Sequence, residues 1–414
     1  MEYYSVLLPL AIILVLSKVL VKFCERLNLP SVVGMLLAGI IIGFVKFIPG
    51  QDIITATSLE GLGFIAKIGV IFIMFNAGLG TDIKSIKSIG VPAVVVTAAG
   101  VIVPMGLGFV VACLFNGGFD APREVLLSNL FYGVILTATS VSVTVATLRE
   151  MGKLHGKVGD TIVAAAILDD IIGVIVLSVV IGFSGTGANA EAPSMVILKT
   201  VLFFIAAIIV GYICNKLFRV IEHKFPHHRL LPIFSVALCF FFAYASEAWF
   251  GVADITGAFV AGIVLSGNPE VNYIERKSDI MGYMIFTPVF FANIGITTEF
   301  GGISTELIFF GVCFIIAGLI GKAGGCTLSA LACKYSARDS FKVGIGMMAR
   351  AEVALVCAQK GAEFGMINTS IMPFIVILIV VSSFTTPIVL RKLYRKEIEA
   401  EKAAETQAVA VEAK

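Results

Sequence analysis

Two adjacent carboxylates, Asp169 and Asp170, stand inside the apolar run AAAILDDIIGVIVL. A lysine, Lys322, stands inside FIIAGLIGKAGG, and Arg350 and Glu352 stand inside GMMARAEVALV. Charge in hydrocarbon is costly, so such residues mark ion pathways or proton relays unless they close on one another. Successive residues of a helix point about 100° apart. One aspartate can therefore face a water-filled cleft while the other faces a neighbouring helix. Burial favours the protonated carboxyl and a nearby ammonium favours the ion. Held between the two, a carboxyl can choose between a proton and a metal cation.

Lys322 is the partner that charge suggests for this pair. The plainer alternative is an internal network of salt bridges, or a neutralised carboxyl pair, with no transport chemistry. Alanine in the centre of an apolar run would avoid that cost altogether. Arg350 and Glu352 are two apart and do not face each other on a regular helix. Pairing them needs an unwound stretch or partners on other helices. Upstream, ILTATSVSVTVATL carries hydroxyls at Thr137, Thr139, Ser140, Ser142 and Thr144. These can bond back to helix carbonyls, or cap a broken helix and offer oxygen to a hard cation. Lys67 lies close enough to the end of its apolar run to snorkel.

The elements that must carry these groups follow from composition. The 414 residues are 58% hydrophobic and 14% charged, with a mean hydropathy of +1.01. A soluble domain carries roughly 25% charge, and this chain folded in water would expose large apolar patches. It reads as an all-α polytopic membrane protein in contact with the lipid bilayer. A net charge of +2 leaves no basic stripe for nucleic acid. The eight cysteines have no CxxC or zinc spacing, and read as small buried hydrophobes. No cleaved signal peptide, soluble catalytic domain, nucleotide-binding domain or cofactor is expected, and the protein is not expected to be an enzyme.

A helix needs about 20 mostly apolar residues to cross about 30 Å of hydrocarbon. Thirteen segments qualify: 3–23, 31–48, 61–80, 90–115, 128–148, 158–184, 195–219, 230–249, 252–266, 281–297, 305–332, 341–363 and 369–391. The ninth is short, and the Gly-rich runs 105–116 and 318–325 suggest local breaks. Twenty Lys and Arg fall in one alternating set of loops, among them Lys22, Arg26, Lys84, Lys87, Arg149 and Lys153. Only Lys46, Arg123, Lys199 and Lys360 lie opposite. That bias marks the cytoplasmic face. An odd number of spans then places the N-terminus outside and the C-terminus in the cytoplasm. The tail 397–414 reads as frayed or weakly helical. Segments 4–6 and 11–13 lie seven apart and so run oppositely through the membrane. Such inverted repeats, with discontinuous helices, form a recurrent transporter plan.

Seven stretches resemble the monovalent cation:proton antiporter-2 family, with its sodium/proton exchanger domain. They are LNLPSVVGMLLAGIIIG, IAKIGVIFIMFNAGLGTD, ILTATSVSVTVATLREMGKL, AAAILDDIIGVIVL, GAFVAGIVLS, FTPVFFANIGI and ARAEVALV, and they run from the second span to the twelfth. The resemblance implies the sodium/proton antiporter fold in the cell membrane: thirteen spans, two inverted-topology repeats with crossing discontinuous helices, and a homodimer. It implies dimerisation-domain helices over 1–89, core helices over 90–184 and 299–392, and a linker helix with further dimerisation-domain helices over 185–298. A cytoplasmic tail occupies 393–414. By the same likeness Asp170 is the Na⁺-binding, proton-carrying carboxylate, and Asp169 is its neighbour, salt-bridged to Lys322. Thr139 and Ser140 would supply oxygens at the helix crossing, and Arg350 and Glu352 form the charged stretch of the second crossing helix. An Asp-Asp pair with a membrane lysine resembles the electrogenic sodium/proton exchangers. Na⁺ or Li⁺ exchange for H⁺ is the expected function, with K⁺/H⁺ antiport or K⁺ efflux as the alternative.

Three other classes fit less well. A Na⁺-coupled organic-anion symporter could share the repeat plan, yet has less reason for the Asp-Asp pair with a lysine. A cation channel would need a carbonyl-lined filter, for which there is no signature. An intramembrane aspartyl protease needs its two aspartates on separate helices, whereas these are adjacent.

Overall fold

In the computed structural model, residues 4–26, 30–81, 90–154, 156–183, 193–224, 230–298 and 304–412 are described. Side chains are described for all of these except 141, 142, 146, 193, 219–224, 396 and 400–412. Lys84 and Lys87, and the side chain of Ser142, lie outside that set.

Every regular element among the described residues is helical. In chain order they are α1 (Tyr4–Arg26), α2 (Ser31–Gly43), α3 (Ala56–Leu79), α4 (Val91–Phe115), α5 (Arg123–Ile135), α6 (Val141–Glu150), α7 (Lys157–Phe183) and α8 (Pro193–Lys224). Then follow α9 (Leu230–Phe250), α10 (Asp254–Ser266), α11 (Val271–Met281), α12 (Thr287–Thr297), α13 (Thr305–Ala332), α14 (Ala337–Gly346), α15 (Glu352–Glu363) and α16 (Met372–Glu412). Nine of the helical stretches among the described residues are long and apolar enough to cross a membrane. The shorter Ser31–Phe47 and Asp254–Ser266 are apolar as well. The outward face of α8 exposes Ile205, Ile208, Ile209, Tyr212 and Ile213, as a lipid-facing helix does.

The fifth and twelfth segments are each two half-helices, α5/α6 and α14/α15, separated by non-helical backbone at 138–140 and 348–351. In the first break the Thr137 hydroxyl donates to Val134 O at 2.8 Å, the local competition with helix bonding that hydroxyl side chains offer. The Gly-rich runs 105–116 and 318–325, by contrast, stay helical within α4 and α13. Their glycines serve packing: a Cβ on Gly133 of α5 would stand 2.2 Å from Met105 O, and one on Gly108 would stand 2.7 Å from Gly133 Cα. Helices in lipid associate through such small residues. The tenth segment begins earlier than expected, at Val271, and passes through a π-turn at Gly282–Phe286 before α12. The tail, read as frayed or weakly helical, continues α16 as helix to Glu412.

Helix packing falls into two groups. α4 lies along α13, with α5, α7, α14 and α16 about that pair. α3 lies along α10, joined by α9 and α12, with α2 on α12 and α1 on α2. At α3/α10 a Cβ on Gly78 would lie 2.2 Å from Phe259 O, and one on Gly262 2.3 Å from Phe75 O. α7 touches α8 and α10, where the groups meet.

Candidate functional site

The two helix breaks lie against each other. Ser140 N–H donates to Ala349 O at 2.8 Å, and the Thr144 hydroxyl donates to Gly346 O at 2.6 Å. The first break leaves carbonyls just beyond α5 without helical partners, past the negative end of that helix's dipole. Two buried cations meet them. Lys322 Nζ donates to Thr137 O at 2.8 Å, and the Arg350 guanidinium donates to Ala138 O and, at 3.1 Å, to Gly318 O. Both cations are 0% exposed. Arg350 sits in an unwound stretch and takes its partners from other helices, so both alternatives raised by its spacing from Glu352 are present. Its backbone is pinned to α16, where Ser382 Oγ accepts from Arg350 N–H and Ser383 Oγ donates to Arg350 O. Glu352 begins α15, at the positive end of that helix dipole.

α7 carries the carboxylates past this crossing. Asp169 is 2% exposed, and its Oδ1 accepts from Lys322 Nζ at 2.7 Å. Among the described residues its Oδ2 has no hydrogen-bond partner. Asp170 is half-buried, and Glu352 and Lys322 both lie within electrostatic range of it. Both aspartates line a narrow cleft with Thr137, Ala138, Gly173, Val174, Leu177, Val353, Val356 and Cys357. Met74 of α3 and Ile255 of α10 close its opposite wall. The cleft therefore lies where the two helix groups meet.

Of the seven residues singled out from sequence, Asp169, Lys322 and Arg350 are brought together at the crossing, and Asp170 and Glu352 border them. Thr139 and Ser140 lie buried in the first break, where Ser140 N–H makes the bond to the second break and the Thr139 hydroxyl bonds back towards Thr137 O at 3.5 Å. From the same break Thr137 and Ala138 line the cleft. Lys67, read as snorkelling, lies within electrostatic range of Glu247. Sequence reasoning missed Met74 and Ile255, for which no local signal exists. It also missed the buried pair Lys360–Asp254 at 2.8 Å, whose one clue was a lysine on the face otherwise poor in cations.

The match to known proteins runs along almost the entire chain. The family described as "Sodium/hydrogen exchanger, transmembrane" matches residues 11–396. The chain belongs to this family of transporters. Among its relatives, the Na(+)/H(+)-K(+) antiporter GerN of Bacillus cereus is 34% identical, over 95% of this chain and 98% of its own length. The Na(+)/H(+) antiporter of Enterococcus hirae is 28% identical, over 96% of this chain and 99% of its own. Among solved structures, the sodium proton antiporter MjNhaP1 of Methanocaldococcus jannaschii shares the fold with a TM-score of 0.71 at 19% identity. That likeness covers 96% of this chain and 98% of the other.

Proposed function

We propose that this exchanger carries Na⁺, and Li⁺ with it, against H⁺ by alternating access, electrogenically, with Asp170 as the binding carboxylate. The observation that carries the reading is the buried Asp169–Lys322 pair beside a half-buried Asp170, at the crossing of two broken helices. Proton and cation compete for that carboxyl, and a site holding either can cross while an empty charged one cannot. Asp169 holds Lys322 while Asp170 is protonated and shares its second oxygen with the ion when Na⁺ is bound. Lys322 and Arg350 neutralise the ends of α5, so the breaks survive in a low dielectric.

Thirteen crossings follow when α5/α6 and α14/α15 each count as one span and α11/α12 as one. α4–α7 and α13–α16 form the moving core, and α1–α3 with α9–α12 form the body that dimerises. The Lys/Arg-rich loops face the cytoplasm, with the C-terminus there and the N-terminus outside. If two protons enter for each Na⁺ leaving, about 100 mV supplies about 2.3 kcal/mol and one pH unit about 1.4 kcal/mol per proton. Together they sustain a sodium gradient of more than three decades, at about 1.4 kcal/mol per decade.

K⁺ is the second reading, favoured by the likeness to GerN of Bacillus cereus, a Na(+)/H(+)-K(+) antiporter. Proteoliposomes with an internal pH dye decide between them. The expected result is proton movement on adding Na⁺ or Li⁺, at a rate that depends on the membrane potential. A response to K⁺ alone transfers the assignment to K⁺ exchange, and silence with every cation refutes antiport.

A further inference from the structure

At the end of the bundle opposite the Lys/Arg-rich loops, Lys360 of α15 is only 5% exposed. Its Nζ lies 2.8 Å from Asp254 Oδ1 and 3.0 Å from Glu363 Oε2. Glu363 is on the same helix, but Asp254 begins α10, in the other helix group. Glu247 of α9 and Lys67 of α3 are the further charged groups in range. The Asp254–Lys360 bond is thus a tie across the junction of the two groups.

Its position relative to the cleft gives the tie a consequence. Asp254 adjoins Ile255, and Lys360 stands one turn beyond Val356 and Cys357, all three of which border the cleft. The cleft is lined by α7, α10 and α15, and the ion pair joins α10 to α15 next to those lining residues. Glu363 alone would satisfy a lysine that merely ended α15. A carboxylate contributed by α10 adds something that only the junction uses, because the bond breaks whenever α15 and α10 separate.

We propose that Asp254 and Lys360 form a latch that shuts the outer end of the cation cleft, acting as positioning residues for the outward-closed state. The latch rests on the antiport reading above and deepens it. A bond made in one of two states biases the equilibrium by its differential free energy, so cutting it populates the outward-open state. Asp254→Asn is the sharper cut. It keeps an oxygen to accept from Ile255 N–H, a bond of 2.7 Å, and leaves Lys360 its Glu363.

Cys357 serves as the reporter, because it borders the cleft. In reconstituted protein with the other seven cysteines replaced by alanine, a membrane-impermeant sulfonated maleimide is applied from the outer face. Asp254→Asn is expected to label Cys357 about five- to tenfold faster, the low end of typical coupling between sites. It also lowers half-saturating external Na⁺, since the binding-competent fraction rises, while changing the maximal rate less. Lys360→Met gives the same shift, and the double variant adds nothing further. Unchanged labelling and unchanged external half-saturation, in folded protein that still exchanges Na⁺ for H⁺, would overturn the latch. Parent protein that exchanges no cation refutes the antiport reading instead, and the labelling contrast, which requires no transport, still decides the latch.

Discussion

Replacing Lys322 with methionine keeps most of the side chain's volume and removes its charge. In the native protein Lys322 Nζ holds Asp169 Oδ1 at 2.7 Å and Thr137 O at 2.8 Å, with no exposure to solvent. Taking away one partner of a buried pair costs about 3–5 kcal/mol, because the remaining charge is left uncompensated. Against a typical native stability of about 5–15 kcal/mol, that is a large fraction. Removing both charges is different in kind: an apolar replacement of a buried pair is often neutral, or stabilising by about 1–4 kcal/mol. Lys322→Met should therefore lower thermal stability sharply, and Asp169→Asn/Lys322→Met should recover most of it. The assay is the midpoint of heat-induced loss of monodisperse protein in detergent, followed by fluorescence-detected gel filtration. If the double variant is as unstable as Lys322→Met, the pair is not what Lys322 stabilises. The double variant should also still bind Na⁺ at Asp170 while its electrogenicity changes.

Three further expectations follow from particular contacts. Gly262→Leu puts side-chain atoms where Phe75 O and the backbone of Gly78 already stand. It should cost at least the 1–3 kcal/mol usual for overpacking, read as a lower melting midpoint, whereas Gly63→Ala, whose Cβ meets nothing within 4 Å, should not. Arg350→Gln removes the bond to Ala138 O that ties the two breaks together and the bond to Gly318 O of α13. Hydrogen bonds to charged groups contribute about 1.5–3 kcal/mol each, so Na⁺-driven proton flux should fall at least tenfold. Lys342, 2% exposed, pairs with Glu397 at 2.6 Å and Asp339 at 3.0 Å and lies over the Tyr394 ring at 4.2 Å. Lys342→Met should release the end of α16, seen as faster proteolysis near Arg395, with exchange retained.

Much of this architecture was legible because lipid enforces simple rules. A chain with 58% hydrophobic residues must span the membrane in helices, and charges left within them announce a site. The Asp169–Asp170 pair and Lys322 stood out on that ground alone. At Arg350 the spacing from Glu352 left two alternatives, an unwound stretch or partners on other helices, and the structure has both. Glycine was read wrongly in α4 and α13, because a glycine can break a helix or admit a neighbour, and only the partner decides which. For Gly108 the partner is Gly133, some distance along the chain. The hydroxyl run pointed to a break, and the helix is interrupted at 138–140; which of its oxygens face the cleft depends on the direction the backbone takes there, which no local pattern gives. Met74, Ile255 and the Asp254–Lys360 pair come from the opposing helix group, and no local pattern announces a contact made across a junction.

The most direct test is sodium-driven proton movement by Asp170→Asn, measured beside Asp169→Asn and the parent protein in the same proteoliposomes. Asparagine keeps the shape of Asp170 and removes the charge that proton and cation contend for. The expected result is no Na⁺- or Li⁺-dependent proton flux from Asp170→Asn, with gel-filtration behaviour and melting midpoint like those of the parent. Flux retained by Asp170→Asn would contradict the assignment of the carrier carboxylate.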